Sequence, residues 1–382
     1  MSLSRRQTLA LIGGGTIIAA SGAAGYAVTR TPRTALLPWE QAGQYAEPRM
    51  KALSYAILAP NPHNRQPWLV DLRGEDEVTL YVDTERLLPH TDPFSRQIVV
   101  GLGCFLELMV LAAAQDGYDV SLDLFPDGED ASALDQRRVA VARFAKSGAV
   151  AEPALFDQVL SRHTLRAAYD MDQRVAPDTL AMLESAVQRG SGVGTTQSDD
   201  MLAVLRDLTE HALEVEFMTP RTYKESVDLF RIGHKEVDAN PDGLTFTGPF
   251  FETMRLTGMF SREGALPQDS FGFKSGLDMV RAAARSGMGY VWLTTPGNSR
   301  AEQIAAGRDW VRVHLAATAV GLGVQPMSQA LQEFDEMQGL YQKMHQLLAP
   351  TGEVVQMLGR LGYASPVAQS PRWPVTSKVL NA

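Results

Sequence analysis

Residues 95 to 115 read SRQIVVGLGCFLELMVLAAAQ, a stretch in which apolar side chains occupy every side of a helix. A helix that is apolar all round is stable only when protein or lipid covers its whole surface. Asp92-Pro93 precedes the stretch as a helix start signal, and Gly117 follows it as a stop signal. We therefore expect a central buried helix, with Asp92 and Arg96 forming a surface ion pair at its start.

Length and charge restrict what such a chain can do. Its 382 residues leave room for two units with cores of their own, and its net charge of -9 argues against non-specific binding to nucleic acid. The single cysteine, Cys104, lies in the apolar stretch and is interpreted as a core residue rather than a nucleophile. Glu210, His211 and Glu214 are close in sequence, but one such cluster is weak support for a metal, so none is predicted.

The N-terminus combines paired arginines with a long uncharged segment. Arg5 and Arg6 lie in SRRQTL, and no further charged residue occurs before Arg30. This pattern resembles a twin-arginine export signal, which carries folded proteins, commonly with a cofactor in place. A Sec-type signal and an ordinary membrane helix are the alternatives, and the arginine pair with a glycine-rich segment favours the first interpretation. We expect the twin-arginine translocase as a partner and a periplasmic or extracytoplasmic protein, with this segment either cleaved or kept as an anchor.

The remainder of the chain repeats one order of elements imperfectly. Before and after the buried helix we predict elements at 47–58, 68–73, 78–83, 118–126 and 139–145. A second series begins with a helix at 177–188, continues with one capped by Asp199, and includes a long helix that ends at Gly321. LAAA at 111–114 and LAAT at 315–318 support a duplication weakly, and GSGVGTT at 190–196 is interpreted as a linker or turn.

These patterns predict a division of the chain into two halves and a lid. The segment 218–274 is rich in Phe, Met, Gly and Pro and has no counterpart earlier in the chain, and insertions of this size often cover sites. The predicted units are a signal or anchor, a linker, a first half, and a second half that contains this insertion: 1–30, 31–46, 47–155 and 156–382.

Four short segments carry the candidate chemistry. APNPHNRQPW, at 59–68, places prolines and amide side chains on a rigid loop after a helix; a structural turn is the alternative. In SRHTLRAAYD, two arginines flank a threonine, which suits a phosphate group, although a solvated turn is the commoner explanation. GLGVQPMS, at 321–328, is a helix end that leads into a loop, and SPRWPVTSKV contains Arg372 between two prolines.

Together these segments resemble the nitroreductase-like flavoproteins. That family has an R-x-S-x-[RK] segment followed one helix later by a P-S-x-x-N-x-Q-P-W loop, whereas here Asn61 replaces the serine and the arginine segment follows the loop. This order resembles the tandem, Acg-type branch, in which one chain contains two nitroreductase-like halves. Trp68, at the end of the loop, is interpreted as a packing anchor rather than a stacking partner.

The resemblance implies an α+β fold whose halves imitate the family's homodimer about a pseudo-two-fold axis, with one FMN site between them. It implies phosphate contacts from Arg162, Thr164 and Arg372, contacts from Arg166 nearer the ribityl chain and ring, and backbone N–H groups near Met327 and Ser328 facing the ring. The implied cofactor-binding residues are Pro60, Asn61, Asn64, Gln66, Arg162, Thr164, Arg166, Gln325, Pro326, Met327, Ser328 and Arg372.

Two functions remain open at the level of sequence. The first is an FMN-dependent oxidoreductase that passes a hydride from a small-molecule donor such as NAD(P)H to an unknown acceptor, with the flavin rather than a side chain carrying the chemistry. The second is a protein that stores FMN with little turnover. A relic without cofactor is the third alternative. Because both parts of the implied site lie in one chain, a monomer is sufficient to build it.

Overall fold

The computed structural model describes residues 30–148 and 150–381, so nearly all of the predicted signal or anchor lies outside the described residues. The helices are α1 Leu37–Gln41, α2 Pro48–Ala56, α3 Arg96–Gln115, α4 Pro153–Phe156, α5 Pro177–Ser185, α6 Asp199–Met218, α7 Pro220–Asp228, α8 His234–Ala239, α9 Pro249–Leu256, α10 Arg262–Ala265, α11 Phe271–Arg285, α12 Arg300–Ala319 and α13 Gln338–Leu348. The strands are β1 Trp68–Asp71, β2 Glu77–Val82, β3 Tyr118–Leu124, β4 Arg138–Lys146, β5 Gly192–Thr196, β6 Phe230–Ile232, β7 Leu244–Phe246, β8 Gly289–Thr295, β9 Gly323–Pro326, β10 Val354–Gly362 and β11 Val379–Asn381. The predicted α+β class is confirmed.

The centre of the fold is formed by two long helices, α3 and α12. Within the described part of the chain, α3 is the one helix with the length and composition of a membrane span; 83% of its most apolar window is buried inside the protein, as in the core helix of a soluble fold. A Cβ placed on Gly103 of α3 would lie 2.3 Å from the Ile304 carbonyl oxygen, and one on Gly307 of α12 would lie 2.0 Å from that of Val100. The two helices therefore touch backbone to backbone, which glycine alone permits.

Two sheets of the same topology flank these helices. The first contains β1 to β4 in the spatial order β1-β2-β4-β3, with α3 connecting its second and third strands. The second contains β5, β8, β9 and β10 in the order β5-β8-β10-β9, with α12 in the equivalent connection. All these neighbouring pairs are antiparallel. The first sheet has a fifth strand, β11, which pairs with β1 in parallel and has no counterpart in the second sheet. An identical order with an identical helical connection supports a duplicated unit more strongly than the short LAAA and LAAT match does.

The two long helices also correspond residue by residue. Each begins with a buried arginine, Arg96 in α3 and Arg300 in α12. Each reaches its crossing glycine after the same number of residues, and the LAAA and LAAT segments then fall in the same register. The duplication predicted from sequence is therefore visible as a pseudo-two-fold arrangement about the contact of Gly103 with Gly307.

One buried carboxylate joins the two helices near their crossing. Glu107 of α3 is fully buried and accepts hydrogen bonds from Arg308 Nε at 2.7 Å, from Arg312 Nη1 at 3.0 Å and from Arg189 Nη2 at 2.8 Å. Arg312 also bonds Glu152. Burial by itself would raise the pKa of Glu107, but the surrounding guanidinium groups lower it overall, so the carboxylate stays ionised.

The predicted insertion forms a small layer with its own core. It includes the parallel pair β6–β7 and a cluster of aromatic residues around Tyr223, Phe230 and Phe273. Its carboxylates attach it to the first half: Asp242 pairs with Arg65 and Arg86, and Glu225 accepts hydrogen bonds from the N–H groups of His90 and Thr91. The base of this insertion is therefore fixed against the first half.

Some local expectations were wrong. Asp92 and Arg96 are both buried: Asp92 accepts the N–H groups of Gln97 and Ile98 as the helix cap, and Arg96 donates to the Gln356 and Leu331 carbonyl groups. Residues 192–196, interpreted as a linker or turn, form strand β5 at the edge of the second sheet. Ser198, not Asp199, caps α6.

Other expectations hold. Cys104 and Trp68 are buried core residues, and the Trp68 ring packs 5.1 Å from that of Phe105. The expectation of a linker at 31–46 does not describe this segment, which is packed against the rest of the protein: Trp39 is buried and its Nε1 donates to the Ser370 carbonyl at 2.8 Å.

Candidate functional site

The loop at 59–68 has an unusual backbone. His63, Asn64 and Gln66 have φ values of 47°, 51° and 51°, in the left-handed region that residues other than glycine rarely adopt. Asn61 holds this conformation, because its Oδ1 accepts the Gln66 N–H at 2.7 Å and its Nδ2 donates to the Ala59 carbonyl at 3.1 Å. Strained backbone held by side-chain hydrogen bonds is common at functional sites.

The side chain of Gln66 is fully buried and joins three parts of the molecule. Its Nε2 donates to the Pro241 carbonyl of the insertion at 2.7 Å, and its Oε1 accepts the Trp373 N–H of the C-terminal segment at 2.9 Å. Lys378 Nζ donates to the Gln66 carbonyl at 2.9 Å. Gln66 therefore holds the loop in place through contacts within the protein, whereas sequence reasoning placed it in contact with a cofactor.

Two buried arginines meet behind the loop. Arg372 Nη1 donates to Asn64 Oδ1 at 2.7 Å, and its Nη2 donates to the carbonyl oxygens of Leu58 and Ala59, each at 3.1 Å. Arg162 Nη2 donates to the same Leu58 carbonyl at 3.0 Å. The structure thus brings together the first-half loop, the R-x-T-x-R segment and the C-terminal arginine, although Arg162 and Arg372 lie far from the loop in sequence.

Several N–H groups of these two guanidinium groups have no hydrogen-bond partner in the described part of the chain. Nε and Nη1 of Arg162 and Nε of Arg372 are buried without a hydrogen-bond partner, and neither arginine forms an ion pair with the described residues. Burial lowers the pKa of Arg372 to about 9, with the nearby charge of Arg162 adding to the effect, and burial lowers the pKa of Arg162 to about 10. Two adjacent cations without a carboxylate form a site for an anion.

The groups behind Arg162 are neutral. Cys104 stays a thiol, because burial raises its pKa to about 12 despite the nearby Arg162 charge. His314 is buried, and its Nε2 lies 3.0 Å from the His163 carbonyl oxygen. Burial and the Arg162 charge hold the pKa of His314 well below its ordinary value. Neither residue neutralises the positive charge of the arginine pair, so that charge remains available to a ligand.

A second guanidinium group that contacts a carbonyl just after a helix is paired with carboxylates. Arg162 donates to the Leu58 carbonyl just after α2, and Arg312 Nε donates to the Ala186 carbonyl at 2.9 Å just after α5. In that second place the guanidinium is paired with Glu107 and Glu152. The Arg162–Arg372 pair therefore keeps free cationic donors, whereas the protein's own carboxylates neutralise Arg312.

Arg166 and Thr164 line the outer side of the site. Leu165 N–H donates to the Val324 carbonyl at 3.1 Å, which fixes the R-x-T-x-R segment against β9. The Arg166 side chain is exposed and forms no hydrogen bond or ion pair with the described residues, yet surrounding protein lowers its pKa by desolvation. Its exposed guanidinium is therefore a cationic group that a ligand can reach. Thr164 is half-buried beside it.

The segment Gln325 to Ser328 lies at the end of β9. Gln325 Oε1 accepts Arg360 Nε at 2.7 Å, so this amide is held from behind. The Met327 N–H donates to the Leu358 carbonyl at 2.7 Å, so the expectation that it faces a ring was wrong. Ser328 begins a 3₁₀ helix, and N–H groups at a helix start have no partner within the helix. Pro60 and Pro326 are half-buried and contribute shape rather than donors.

His63 is a polar residue of the loop that was not among the implied cofactor-binding residues. Its Nε2 lies 3.1 Å from Ser226 Oγ of the insertion, and its Nδ1 is buried without a partner. Burial lowers the pKa of His63 to about 4, and the charges of Arg166 and Arg65 add to the effect. The signal was present in the sequence, since His63 precedes Asn64 inside the predicted loop.

Replacing His63 by asparagine is expected to reduce the pH dependence of stability. The folded protein keeps His63 neutral while the unfolded chain binds a proton near pH 6.5, so wild-type stability falls as pH decreases from about 6.5 to about 4. His63→Asn removes this loss, on the order of 2 kcal/mol, and asparagine tolerates the positive φ. Denaturant unfolding from pH 4 to pH 8 measures it. The exposed His90→Asn should retain the wild-type slope, and an equally steep slope in His63→Asn would contradict the assignment.

Comparison with known proteins gives relatives along most of the chain. A protein of Mycobacterium tuberculosis named "Putative NAD(P)H nitroreductase Rv3131" is 24% identical over 345 residues, which cover 88% of this chain and 90% of the relative. A second, named "Putative NAD(P)H nitroreductase acg", is 28% identical over 166 residues, which cover 42% of this chain and 47% of the relative. Most of the chain is similar to proteins named nitroreductases. No family model matches it.

Solved structures give a weaker similarity. A "putative nitroreductase" from Anabaena variabilis aligns over 81% of this chain and 82% of its own, with 13% identity and a TM-score of 0.41. The FMN-dependent nitroreductase NfnB from Mycobacterium smegmatis, solved with NADPH, aligns over 58% of this chain and 96% of its own, with 18% identity and a TM-score of 0.33. The sequence relatives therefore give the main support to the nitroreductase-like resemblance.

Proposed function

We propose that this chain is an FMN-dependent oxidoreductase of the nitroreductase type, with one flavin bound between its halves. The observation that carries the proposal is the pair Arg162 and Arg372. Both arginines are buried and adjacent, neither is paired with a carboxylate, and both have N–H groups without a partner. These donors fit a phosphate group. The names of the sequence relatives support a nicotinamide-type donor.

Each part of the site has a role in this proposal. Arg162 and Arg372 hold the phosphate, with Thr164 beside them. Arg166 supplies positive charge on the exposed side, and Asn61 and Asn64 fix the loop that forms the opposite wall. A bound flavin accepts two electrons as a hydride and passes them to an acceptor. No side chain acts as a nucleophile, consistent with the raised pKa of Cys104.

The visible absorption spectrum of the purified protein tests the cofactor. We expect a yellow protein that releases about one FMN per chain, and a colourless Arg162→Ala/Arg166→Ala variant. A wild type that is colourless and does not take up added FMN would refute the assignment. Oxidation of NADH or NADPH by the loaded protein, followed with a nitroaromatic or quinone acceptor, then tests turnover.

Storage of FMN with little turnover is the second candidate. It is favoured by the close contact of the insertion with the loop, through Pro241 to Gln66 and through Ser226 to His63. If the insertion stays closed over bound FMN, the flavin is reduced slowly or not at all by added NAD(P)H. Flavin photoreduction without reduction by NAD(P)H would favour storage.

We also propose export by the twin-arginine route to an extracytoplasmic location. The support is the arginine pair at Arg5 and Arg6 before an uncharged segment. A reporter that is active only after folded export, fused to residues 1–35, should require both arginines. Export that is unchanged in Arg5→Lys/Arg6→Lys would contradict this route.

A further inference from the structure

The insertion presents an uncharged apolar surface to solvent. Phe250 and Leu256 of α9 are 65% and 61% exposed, and Met259 just after the helix is 69% exposed. Thr253 and Thr257 lie on the same arc of the helix, between the two apolar side chains. Exposed large apolar residues that are grouped in this way mark an interaction surface.

The two charged residues of α9 pair with each other, and the carboxylate of this pair is buried. Glu252 is buried and forms contacts with His234 and Arg255. Between Leu244 and Phe260, Glu252 and Arg255 are the two charged residues, so the exposed arc contains only apolar and hydroxyl side chains. A surface of this kind can meet an apolar phase without the desolvation of a charge.

The N-terminal segment reaches the described fold at the insertion. The N–H of Arg33 donates to Asp238 Oδ1 at 2.9 Å, and that of Ala35 donates to the same atom at 3.0 Å. Asp238 is in α8, whose first residue, His234, contacts Glu252 of α9. The described part of the chain therefore begins beside α8, in the same insertion as α9.

The preceding segment of the chain has the composition of an apolar anchor. Residues 7 to 29 contain no charged side chain. As a helix, this length would span roughly 35 Å, enough for a bilayer core of about 30 Å. A bilayer that held this segment would therefore lie on the side of the protein where residues 33–35 contact the insertion.

We propose that the segment is retained as an anchor and that the α9 surface, defined by Phe250, Thr253, Leu256, Thr257 and Met259, lies against the lipid bilayer. The partner is a lipid surface, because the exposed arc is uncharged and the chain's own apolar segment joins the fold at the same insertion. This places the insertion, and with it one side of the candidate site, at the membrane surface. The proposal does not depend on the identity of the cofactor.

Site-specific labelling tests it in the full-length chain. Because Cys104 is buried, a cysteine introduced at Met259 can be labelled with a polarity-sensitive dye without removing the native thiol. We expect Met259→Cys to show a blue-shifted emission when the protein is reconstituted in vesicles of phosphatidylethanolamine and phosphatidylglycerol. Val320→Cys, which is also exposed but lies at the end of α12, should show no shift.

Three results would overturn the proposal. One is the same emission at both positions in vesicles. Another is a blue shift at Met259 that needs no vesicles and grows with protein concentration, which would assign the surface to a second copy of the chain. The last is a mature cellular protein whose mass lacks residues 1–29.

Discussion

Replacing Arg162 by methionine is expected to abolish tight FMN binding without destabilising the protein that lacks FMN. Arg162 donates one hydrogen bond, to the Leu58 carbonyl, which also accepts a hydrogen bond from Arg372. Two nitrogens of Arg162 have no hydrogen-bond partner. Its removal leaves no protein acceptor unsatisfied and relieves the repulsion between two buried cations. The free energy of unfolding without FMN should therefore be unchanged or higher.

The loss caused by Arg162→Met should appear only when FMN is present, as weaker binding. Each charge-assisted hydrogen bond to a phosphate contributes about 1.5–3 kcal/mol, so losing two of them should raise the Kd for FMN by roughly two to four orders of magnitude. Thermal unfolding with and without FMN measures both effects, because a ligand that binds only the folded state raises Tm.

Arg300→Met provides the matched control. Arg300 is equally buried, but its guanidinium donates to the Asp130 and Ala131 carbonyl groups and to Gln303, away from the site. Its loss should lower the Tm of both forms and leave the Kd for FMN unchanged. If Arg162→Met behaved in the same way, the role of Arg162 would be structural and the anion site would be in doubt.

Replacing Gly307 by alanine is expected to destabilise the whole protein. The new Cβ would lie 2.0 Å from the Val100 carbonyl oxygen, and a backbone atom in the middle of a helix cannot move aside. Relief requires α3 and α12 to separate, which disturbs the contact between the halves. We expect a loss of at least about 3 kcal/mol in the free energy of unfolding and, because both halves build the site, weaker FMN binding.

Gly339→Ala makes the same chemical change but is expected to raise the stability of the protein instead of lowering it. Gly339 lies near the start of α13, and no atom lies within 4 Å of the position that an alanine Cβ would take there. Alanine should therefore stabilise the protein by up to about 1 kcal/mol. The denaturant midpoints of Gly307→Ala and Gly339→Ala, compared with that of the wild type, measure both effects on stability. A Gly307→Ala protein as stable as the wild type would show that the two helices cross less closely than described.

The main elements of the fold and the segments of the site could be predicted from sequence because their signals are local. The buried helix follows from an apolar stretch of helical length, and the loop follows from its prolines and amides. The proximity of Arg162 and Arg372 to that loop came from family resemblance, since nothing local connects residues so far apart.

Where prediction failed, long-range partners decided the outcome. Asp92 and Arg96 have the spacing of a surface pair, but Arg96 finds its acceptors at Gln356 and Leu331 in the other half. Strand β5 contains two glycines and has little intrinsic strand propensity, and its pairing with β8 makes it a strand. The Met327 N–H was expected to be free because its partner, Leu358, lies in β10, which sequence periodicity could not align with it.

The ion cluster around Glu107 has an implication for how a fused pair of halves can differ from a symmetric dimer. At a true two-fold axis each residue faces its own copy, so a glutamate there would face a glutamate. In this chain Glu107 comes from α3 while Arg308 and Arg312 come from α12, so opposite charges meet across the pseudo-axis. Joining the halves in one chain lets each side of the contact change independently, so a carboxylate on one helix can face guanidinium groups on the other.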